Sequence, residues 1–200
     1  LDVVRDLCAQ YHGYASTGGV AAYKWAVMEK GRAVAAYCWQ PPPPGAAANV
    51  CAEAAFGVLA LSRMVARPKS ERELKHVSKP LRKQMRQLID RTRWPVLITY
   101  SDEGQGHTGY VYQCSGWEKT SRKCVPVFED DRGRRASRYS NGETGGRILN
   151  NVGSTWIQRW EHWICDRGRA GEWMADRGWV RCPTNRTYRS GNPAFRFVRM

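Results

Sequence analysis

The sequence lacks any segment that would direct it to a membrane or out of the cell. It contains no run of about 18 apolar residues, the length needed to cross a bilayer. Its opening, LDVVRDLCAQYHGYAS, has neither the basic start nor the apolar middle of a secretory signal peptide. The sequence therefore predicts an intracellular protein with no membrane partner.

Paired cysteines are missing as well. The chain has seven cysteines, an odd number, and no CxxC pair. Neither a disulfide framework nor a structural zinc site built from such pairs is indicated. We expect reduced thiols that are mostly buried.

Acidic residues are scarce relative to basic ones. The chain has 18 Asp and Glu against 32 Lys and Arg, a net charge of +14. This balance favours a polyanionic partner, nucleic acid first, although an incidentally basic protein stays open because charge reports on association and not on fold. A length of 200 residues predicts one domain.

Hydrophobic periodicity predicts alternating helices and strands. In chain order these are a helix over Asp2–Tyr11 ending at Gly13, hairpin strands over Tyr23–Glu29 and Arg32–Trp39, a stiff loop at Pro41–Pro44, a buried strand over Phe56–Ala66, a basic helix from a Ser70/Glu73 capping box to Thr92 with a kink at Pro80, a buried parallel strand over Trp94–Tyr100, and a short helix over His107–Ser115. This order predicts an α/β fold with a mixed sheet.

The remainder of the chain, residues 118–200, is basic and rich in tryptophan. It holds 17 of the Lys and Arg residues and 9 of the Asp and Glu residues. Trp156, Trp160 and Trp163 are spaced to lie on one face of a helix. That face fits packing on the core, and it equally fits a stacking surface for unstacked bases. Under the second interpretation the nucleic-acid contacts are Arg132, Arg134, Arg135, Arg138, Arg147, Trp156, Arg159 and Trp160.

A ligand site is expected just after the strand that ends at residue 100. Loops at the carboxyl ends of strands in an open α/β sheet converge on a crevice, and Asp102, His107 and Tyr112 lie there. Each also fits a structural role, as helix N-cap, surface side chain and core residue respectively. His12, at the end of the first helix, is similarly ambiguous. Arg63 lies within a predicted strand, so its charged side chain must face a cleft or a partner.

Three segments carry a resemblance to a known family. The segments LSRMVA, SKPLRK and VLITYSDEGQGHTGYVYQCSGW together resemble the core of phage Mom proteins, which are GNAT-superfamily proteins that modify the exocyclic amine of adenine in DNA. The match covers residues 11–117 and is most specific from Asp102 to Tyr112. It implies a GNAT-like mixed central sheet flanked by helices, with residues 1–117 as the catalytic core and residues 118–200 as a basic elaboration of the same domain.

The resemblance also implies site residues. Those with implied catalytic roles are His12, Tyr37, Asp102 and Tyr112. Those with implied roles in binding the donor are Arg63, Lys75, Ser78 and Lys79. In this scheme Asp102 accepts a hydrogen bond or proton from the amine, Tyr112 protonates a leaving group or holds the donor, and Arg63 with Ser78 binds donor phosphate.

The sequence lacks one motif that is common in the GNAT superfamily. GNAT acetyltransferases carry a glycine-rich loop whose amides approach the pyrophosphate of the cofactor, whereas VARPKSERELKHVSKP contains no glycine. The donor is therefore open between acetyl-CoA, with its phosphates held by the side chains of Lys69, Ser70, Arg72 and Lys75, and another donor that is glycine-derived or carried on RNA. The family resemblance further implies iron, with His12 and Tyr112 as ligands.

The function implied is transfer of a carbamoylmethyl-type group to adenine N6 in double-stranded DNA, in the cytoplasm of an infected bacterial host, protecting phage DNA from restriction. The amine is buried in the duplex, so the base must flip out, at a cost of about a few kcal/mol. A non-catalytic DNA-binding protein on the same scaffold remains an alternative, as does an N-acyltransferase for a protein or a small amine. A homodimer is compatible with the sequence.

Overall fold

The structure is a computed structural model that describes residues 2–12, 21–129, 133, 135–136, 150–187 and 193–200. The helices and strands are α1 (Asp2–Tyr11), β1 (Tyr23–Glu29), β2 (Arg32–Gln40), α2 (Pro44–Ala48), β3 (Val58–Ala66), α3 (Ser78–Arg91), β4 (Val96–Asp102), α4 (Tyr110–Gln113), β5 (Glu118–Glu129), β6 (Arg135–Ala136), β7 (Asn150–Trp163), α5 (Ala170–Ala175), β8 (Trp179–Thr187) and β9 (Pro193–Arg199). Within the described ranges, no helix combines the length and apolarity needed to cross a membrane.

Seven strands form one mixed sheet. Their order is β1-β2-β3-β4-β7-β5-β6, and β8 with β9 forms a separate hairpin. Strands β3 and β4 run parallel, whereas β4 and β5 each pair antiparallel with β7. The predicted α/β class with a mixed central sheet flanked by helices is confirmed.

The sheet is covered on both faces. On one face, α3 packs Leu81, Met85 and Leu88 against strand residues that include Tyr37 and Leu97. On the other face, α1 packs against β2 and β3, and α5 packs against β3 and β4. Successive strand residues point to opposite faces, so strands covered on both sides are apolar at nearly every position.

The basic helix begins later than the sequence predicts. Residues Lys69–Glu71 form a single 3-10 turn, and the helix proper starts at Ser78. Pro80 therefore lies in the first helical turn, where its missing amide donor is tolerated, and it produces no break. The prediction that Ser70 and Glu73 form a capping box is wrong, because no helix begins there. The stiff loop expected over Pro41–Pro44 is also followed directly by a short helix, α2.

The helix predicted for the Trp-rich segment is wrong, because the segment is strand β7. It lies inside the sheet and pairs with β4 on one side and β5 on the other. Two-sided pairing outweighs a helical spacing of tryptophans. The three indoles do not share a face, since Trp160 packs in the core beneath α3 whereas Trp163 packs beside α5.

All seven cysteines are free thiols, as predicted. The expectation that most are buried is wrong: Cys8, Cys38 and Cys51 are buried, whereas Cys114 and Cys124 are exposed.

Candidate active site

A cleft opens where β3 and β4 part. The two strands pair only over residues 58–60 and 96–98. The Thr99 hydroxyl still donates to the Leu61 carbonyl at 3.1 Å, but beyond this point β3 stays with β2 and β4 stays with β7. The carboxyl ends of the two parallel strands therefore diverge, which is the usual position of a ligand in an open α/β sheet.

His12, Arg63 and His107 lie within electrostatic reach of one another at this cleft. His12 directly follows α1, and Arg63 pairs across the sheet with Cys38, which packs against α1. The pKa of His12 is lowered to about 4, chiefly by burial and to a smaller extent by electrostatic interaction with Arg63 and His107. At neutral pH His12 is thus an uncharged imidazole with one nitrogen able to accept a hydrogen bond. The structure brings together two residues proposed from sequence, His12 and Arg63, and adds His107.

Asp102 organises the loop that carries His107. The carboxylate is buried; its Oδ1 accepts from the Gly104 amide at 3.0 Å and from the Thr155 hydroxyl at 2.6 Å. Its Oδ2 accepts from Arg135 Nη1 at 2.6 Å. These contacts fix the 3-10 turn after β4 and tie it to β6 and β7. Asp102 is thus the N-cap of this 3-10 turn, one of the roles that the sequence allows for it.

Two arginines expected to contact DNA are instead paired with buried carboxylates. Arg135 is held by Asp102, and Arg159 Nε lies 2.8 Å from Oε1 of Glu161, whose side chain is 2% exposed. A buried carboxylate requires charged or polar partners, and these guanidinium groups supply them. The assignment of Arg135 and Arg159 to phosphate contacts is therefore corrected.

The two tryptophans expected to contact bases differ in exposure. Trp160 is 6% exposed and lies under Gly109, so it is not a stacking platform. Trp156 is 43% exposed, and the Arg122 guanidinium lies 4.1 Å from the centroid of its ring. Arg132, Arg134, Arg138 and Arg147, the remaining predicted nucleic-acid contacts, lie outside the described residues.

The two tyrosines of the predicted site are buried beneath α3. The Tyr37 hydroxyl donates to the Val77 carbonyl at 2.7 Å, and the Tyr112 ring lies 6.0 Å from those of Trp117 and Trp160. Burial raises the pKa of both hydroxyls, so both stay protonated at neutral pH. Tyr37 therefore positions the start of α3, and Tyr112 fills the core.

The residues do not fit the iron site that the family resemblance implies. His12 lies at the end of α1 on one side of the sheet, whereas Tyr112 is packed on the α3 side. In the part of the chain that is described, no three His, Cys, Asp or Glu side chains come together to hold a metal. A protonated, buried tyrosine is also a poor ligand for ferric ion. The proposed ligation by His12 and Tyr112 is not supported.

The residues assigned to the donor are divided between the two faces. Arg63 faces α1, whereas Ser78 begins α3 on the opposite face, so the shared phosphate site proposed for this pair is corrected. Lys75 is exposed in the loop before α3, and Lys79 is exposed on the first turn of that helix.

The backbone amides near the start of α3 are already used. Lys79 N donates to the His76 carbonyl at 3.2 Å, and Pro80 has no amide hydrogen. In the preceding loop, the amides of Glu73 and Leu74 donate to the two carboxylate oxygens of Glu29, at 2.7 and 2.6 Å. The amides that would bind phosphates at a helix N-terminus are thus largely occupied by this chain itself.

Arg72, in this loop, has a buried nitrogen with unused hydrogen-bonding capacity. Its Nε donates to the Arg67 carbonyl at 2.8 Å. Its Nη1 is buried and has no hydrogen-bond partner among the described residues. A buried guanidinium nitrogen without a partner is costly, so it marks a place for an anionic ligand.

The sequence itself decides the family. The model of the Mom protein family matches residues 6–160, more than half of the chain. The chain belongs to the Mom protein family. No curated protein matches it.

Several solved GNAT acetyltransferases align with this Mom-family chain. The ribosomal-protein-S18-alanine N-acetyltransferase of Escherichia coli is 12% identical, with 84% of this chain and 89% of that chain covered and a TM-score of 0.47. A GNAT family acetyltransferase from Elizabethkingia anophelis with acetyl-CoA bound is 11% identical, with coverages of 79% and 88% and a TM-score of 0.47. The ribosomal-protein-alanine N-acetyltransferase of Brucella melitensis is 14% identical, with coverages of 70% and 67% and a TM-score of 0.44. These likenesses concern the fold and say nothing of the donor or acceptor of the Mom-family chain.

Several residues of the Mom-family site were not found by sequence reasoning. Thr155 lies 53 residues along the chain from Asp102, to which it donates a hydrogen bond. Glu29 lies 44 residues from Glu73, whose amide donates a hydrogen bond to it. Neither contact has a local signal, because each depends on sheet pairing that brings distant segments together. Arg72 could be singled out only as one cation among several in a basic loop.

Proposed function

We propose that this chain transfers a small acyl-derived group, of the carbamoylmethyl type, to the exocyclic N6 amine of adenine in double-stranded DNA. An N6–H bond breaks, an N6–C bond forms, and the leaving group departs from the donor. The modification would protect phage DNA from restriction in the cytoplasm of the infected host. The observation that carries the proposal is the cleft between β3 and β4, with neutral His12 beside Arg63, in a member of the Mom family.

The cleft residues suit an amine acceptor. The adenine amine is an uncharged nucleophile whose nitrogen becomes acidic as the new bond forms, and an uncharged His12 can accept that hydrogen bond and proton. Arg63, on the same side, provides positive charge for the oxygen or leaving group that becomes negative. A flipped adenine needs a partner that replaces its stacking, and exposed Trp156 with its stacked Arg122 supports that role.

The donor-binding part of the proposal rests on Arg72. Its buried Nη1 supports a direct bond from a side chain to an anionic group of the donor. Lys75, Ser78 and Lys79 follow along the same loop and helix start. Acetyl-CoA and another acyl donor both satisfy this arrangement, provided that side chains rather than the occupied amides hold the anionic group.

Mass spectrometry of nucleosides tests the proposal. Plasmid DNA would be recovered from cells that express the intact chain, His12→Asn or His76→Asn, the last being a control at an exposed histidine of the loop before α3. We expect a new adenosine species with the intact chain and His76→Asn, and its loss with His12→Asn. Ordinary nucleosides in every sample, with folded protein present, would reject the transferase. Equal modification by His12→Asn would remove His12 from the mechanism.

A second candidate is a non-catalytic DNA-binding protein on this scaffold. The observation that favours it is the occupation of the Glu73 and Leu74 amides by Glu29, which withdraws both amides from binding donor phosphates. A DNA-binding protein without catalytic activity would bind duplex DNA and leave the nucleosides unmodified in the mass-spectrometry experiment.

A further inference from the structure

The outer face of α3 is a row of positive charges. Lys79, Arg82, Lys83 and Arg86 follow the spacing i, i+3, i+4 and i+7, which places them on one side of the helix, and all four are exposed. We call these four residues the α3 ridge. They line a shallow groove together with Gln87 and Asp90. The opposite side of the helix is buried in the core.

The α3 ridge differs from two arginines of β5 and β7 that pair with acidic side chains. Arg122 pairs with Glu103 at 2.6 Å, and Arg159 pairs with Glu161 at 2.8 Å. None of the four ridge cations pairs with an acidic side chain in the part of the chain that the structure describes. Like charges at these spacings destabilise a helix, so the row offers the fold no benefit of its own.

We propose that the α3 ridge binds the phosphate backbone of duplex DNA. The ridge extends over seven helical rises, about 10 Å of helix at a rise of about 1.5 Å per residue. A DNA strand presents one phosphate about every 3.4 Å of its axis, so the ridge length matches about three successive phosphates. Charge complementarity selects a polyanion, and the choice of DNA rests on the proposed function, in which DNA is the acceptor.

This contact is independent of base sequence, and three of its four residues are separate from the proposed chemistry, since only Lys79 also lies at the helix start proposed to bind the donor. The ridge lies on the α3 side of the sheet, whereas His12 and Arg63 lie on the α1 side of the cleft. Phosphate contacts fix position on a duplex without reading bases. The ridge therefore holds the duplex while the cleft acts on a base.

Binding to a short duplex made only of G·C pairs tests the ridge without any acceptor adenine. The ridge variant is Arg82→Gln/Arg86→Gln, because glutamine keeps helix propensity. The control is Arg5→Gln/Arg169→Gln, which loses the same charge at two exposed, acid-paired arginines located in α1 and directly before α5, on the opposite face. Fluorescence anisotropy across a range of salt concentrations gives the slope of log K against log salt concentration. Circular dichroism confirms that both variants are folded.

We expect the ridge variant to reduce the magnitude of that slope by about 1.8, at about 0.9 for each lost phosphate contact, and to weaken binding about tenfold or more at low salt. The control should keep the slope of the intact chain. Equal losses in both variants, or no loss in the ridge variant, would overturn the proposal. A ridge variant that keeps duplex binding but loses binding to RNA would overturn the choice of DNA.

The outcome is distinguishable from failure of the proposed function. If cellular DNA carries no modified adenosine but the ridge variant alone loses duplex binding, the ridge stands and the transferase fails. If modification is present and both variants bind alike, the transferase stands and the ridge fails.

Discussion

Replacing Gly109 by alanine should destabilise the fold far more than the same change at Gly106. Both glycines adopt left-handed backbone, with φ of +74° and +71°. This conformation costs an alanine about 1–2 kcal/mol at either position. At Gly106 no described atom lies within 4 Å of the added Cβ, whereas at Gly109 that carbon would lie 2.5 Å from Cε2 and 2.8 Å from Nε1 of Trp160.

The clash sets the size of the difference. Trp160 is buried, packs against Tyr112, and donates from Nε1 to the Ser101 hydroxyl at 2.9 Å. Forcing the indole aside should cost about 1–3 kcal/mol in packing and about 1 kcal/mol in the lost hydrogen bond. We expect Gly109→Ala to reduce the free energy of unfolding by about 2–4 kcal/mol more than Gly106→Ala.

Urea unfolding followed by circular dichroism measures both variants, with the free energy obtained from the midpoint and slope. The double variant Gly109→Ala/Trp160→Phe should show favourable coupling, because the smaller ring makes room for the methyl group. If Gly109→Ala and Gly106→Ala lose the same stability within about 0.5 kcal/mol, the packing of Trp160 against Gly109 is refuted.

Two further predictions concern the cleft and the loop beside it. NMR titration should give His12 a pKa near 4, and Arg63→Gln should raise it while leaving it below 6.5, because burial is the larger cause. Since this pKa is lower in the folded state, the unfolded state binds the proton first, and His12 should reduce stability as the pH falls from about 6.5 towards 4. Thr155→Val should destabilise the fold by about 1–3 kcal/mol in urea unfolding, because buried Asp102 loses a donor at 2.6 Å. Thr108→Val, whose exposed hydroxyl accepts only a long hydrogen bond of 3.4 Å from the Tyr110 amide, should change it by less than about 0.5 kcal/mol.

Each has an outcome that would contradict it. Titration of His12 near 6.5, or stability of His12→Asn that falls with pH as steeply as that of the intact chain, would show that the imidazole is not buried. Equal effects of the two threonine substitutions would show that the Asp102 network does not hold the loop.

The hairpin of β1 and β2 was predictable because its turn is encoded locally. Lys30 and Gly31 both have positive φ, at 48° and 76°, as a two-residue hairpin turn requires. The strand boundaries at Tyr23–Glu29 follow from that turn and from the apolar pattern. The apolar run of β4 was also predictable, although the strand extends to Asp102, which the sequence analysis placed in the segment after the strand.

The start of α3 and the identity of β7 were not predictable, because distant contacts decide them. Glu73 does not cap a helix; it pairs with Lys30 at 2.6 Å, and its amide is taken by Glu29. The spacing of Trp156 and Trp160 fits one face of a strand as well as one face of a helix. The choice between strand and helix is decided only by the pairing of β7 with β4 and β5, two strands from other parts of the chain.

The hydrogen bonds from the loop amides to Glu29 link two segments that lie far apart in the sequence. Glu29 is the last residue of the edge strand β1, and its carboxylate accepts hydrogen bonds from two successive amides of the loop before α3. A single change at this edge position would free both amides at once. The anion-binding capacity of the loop can thus be altered from the edge strand β1, outside the loop itself.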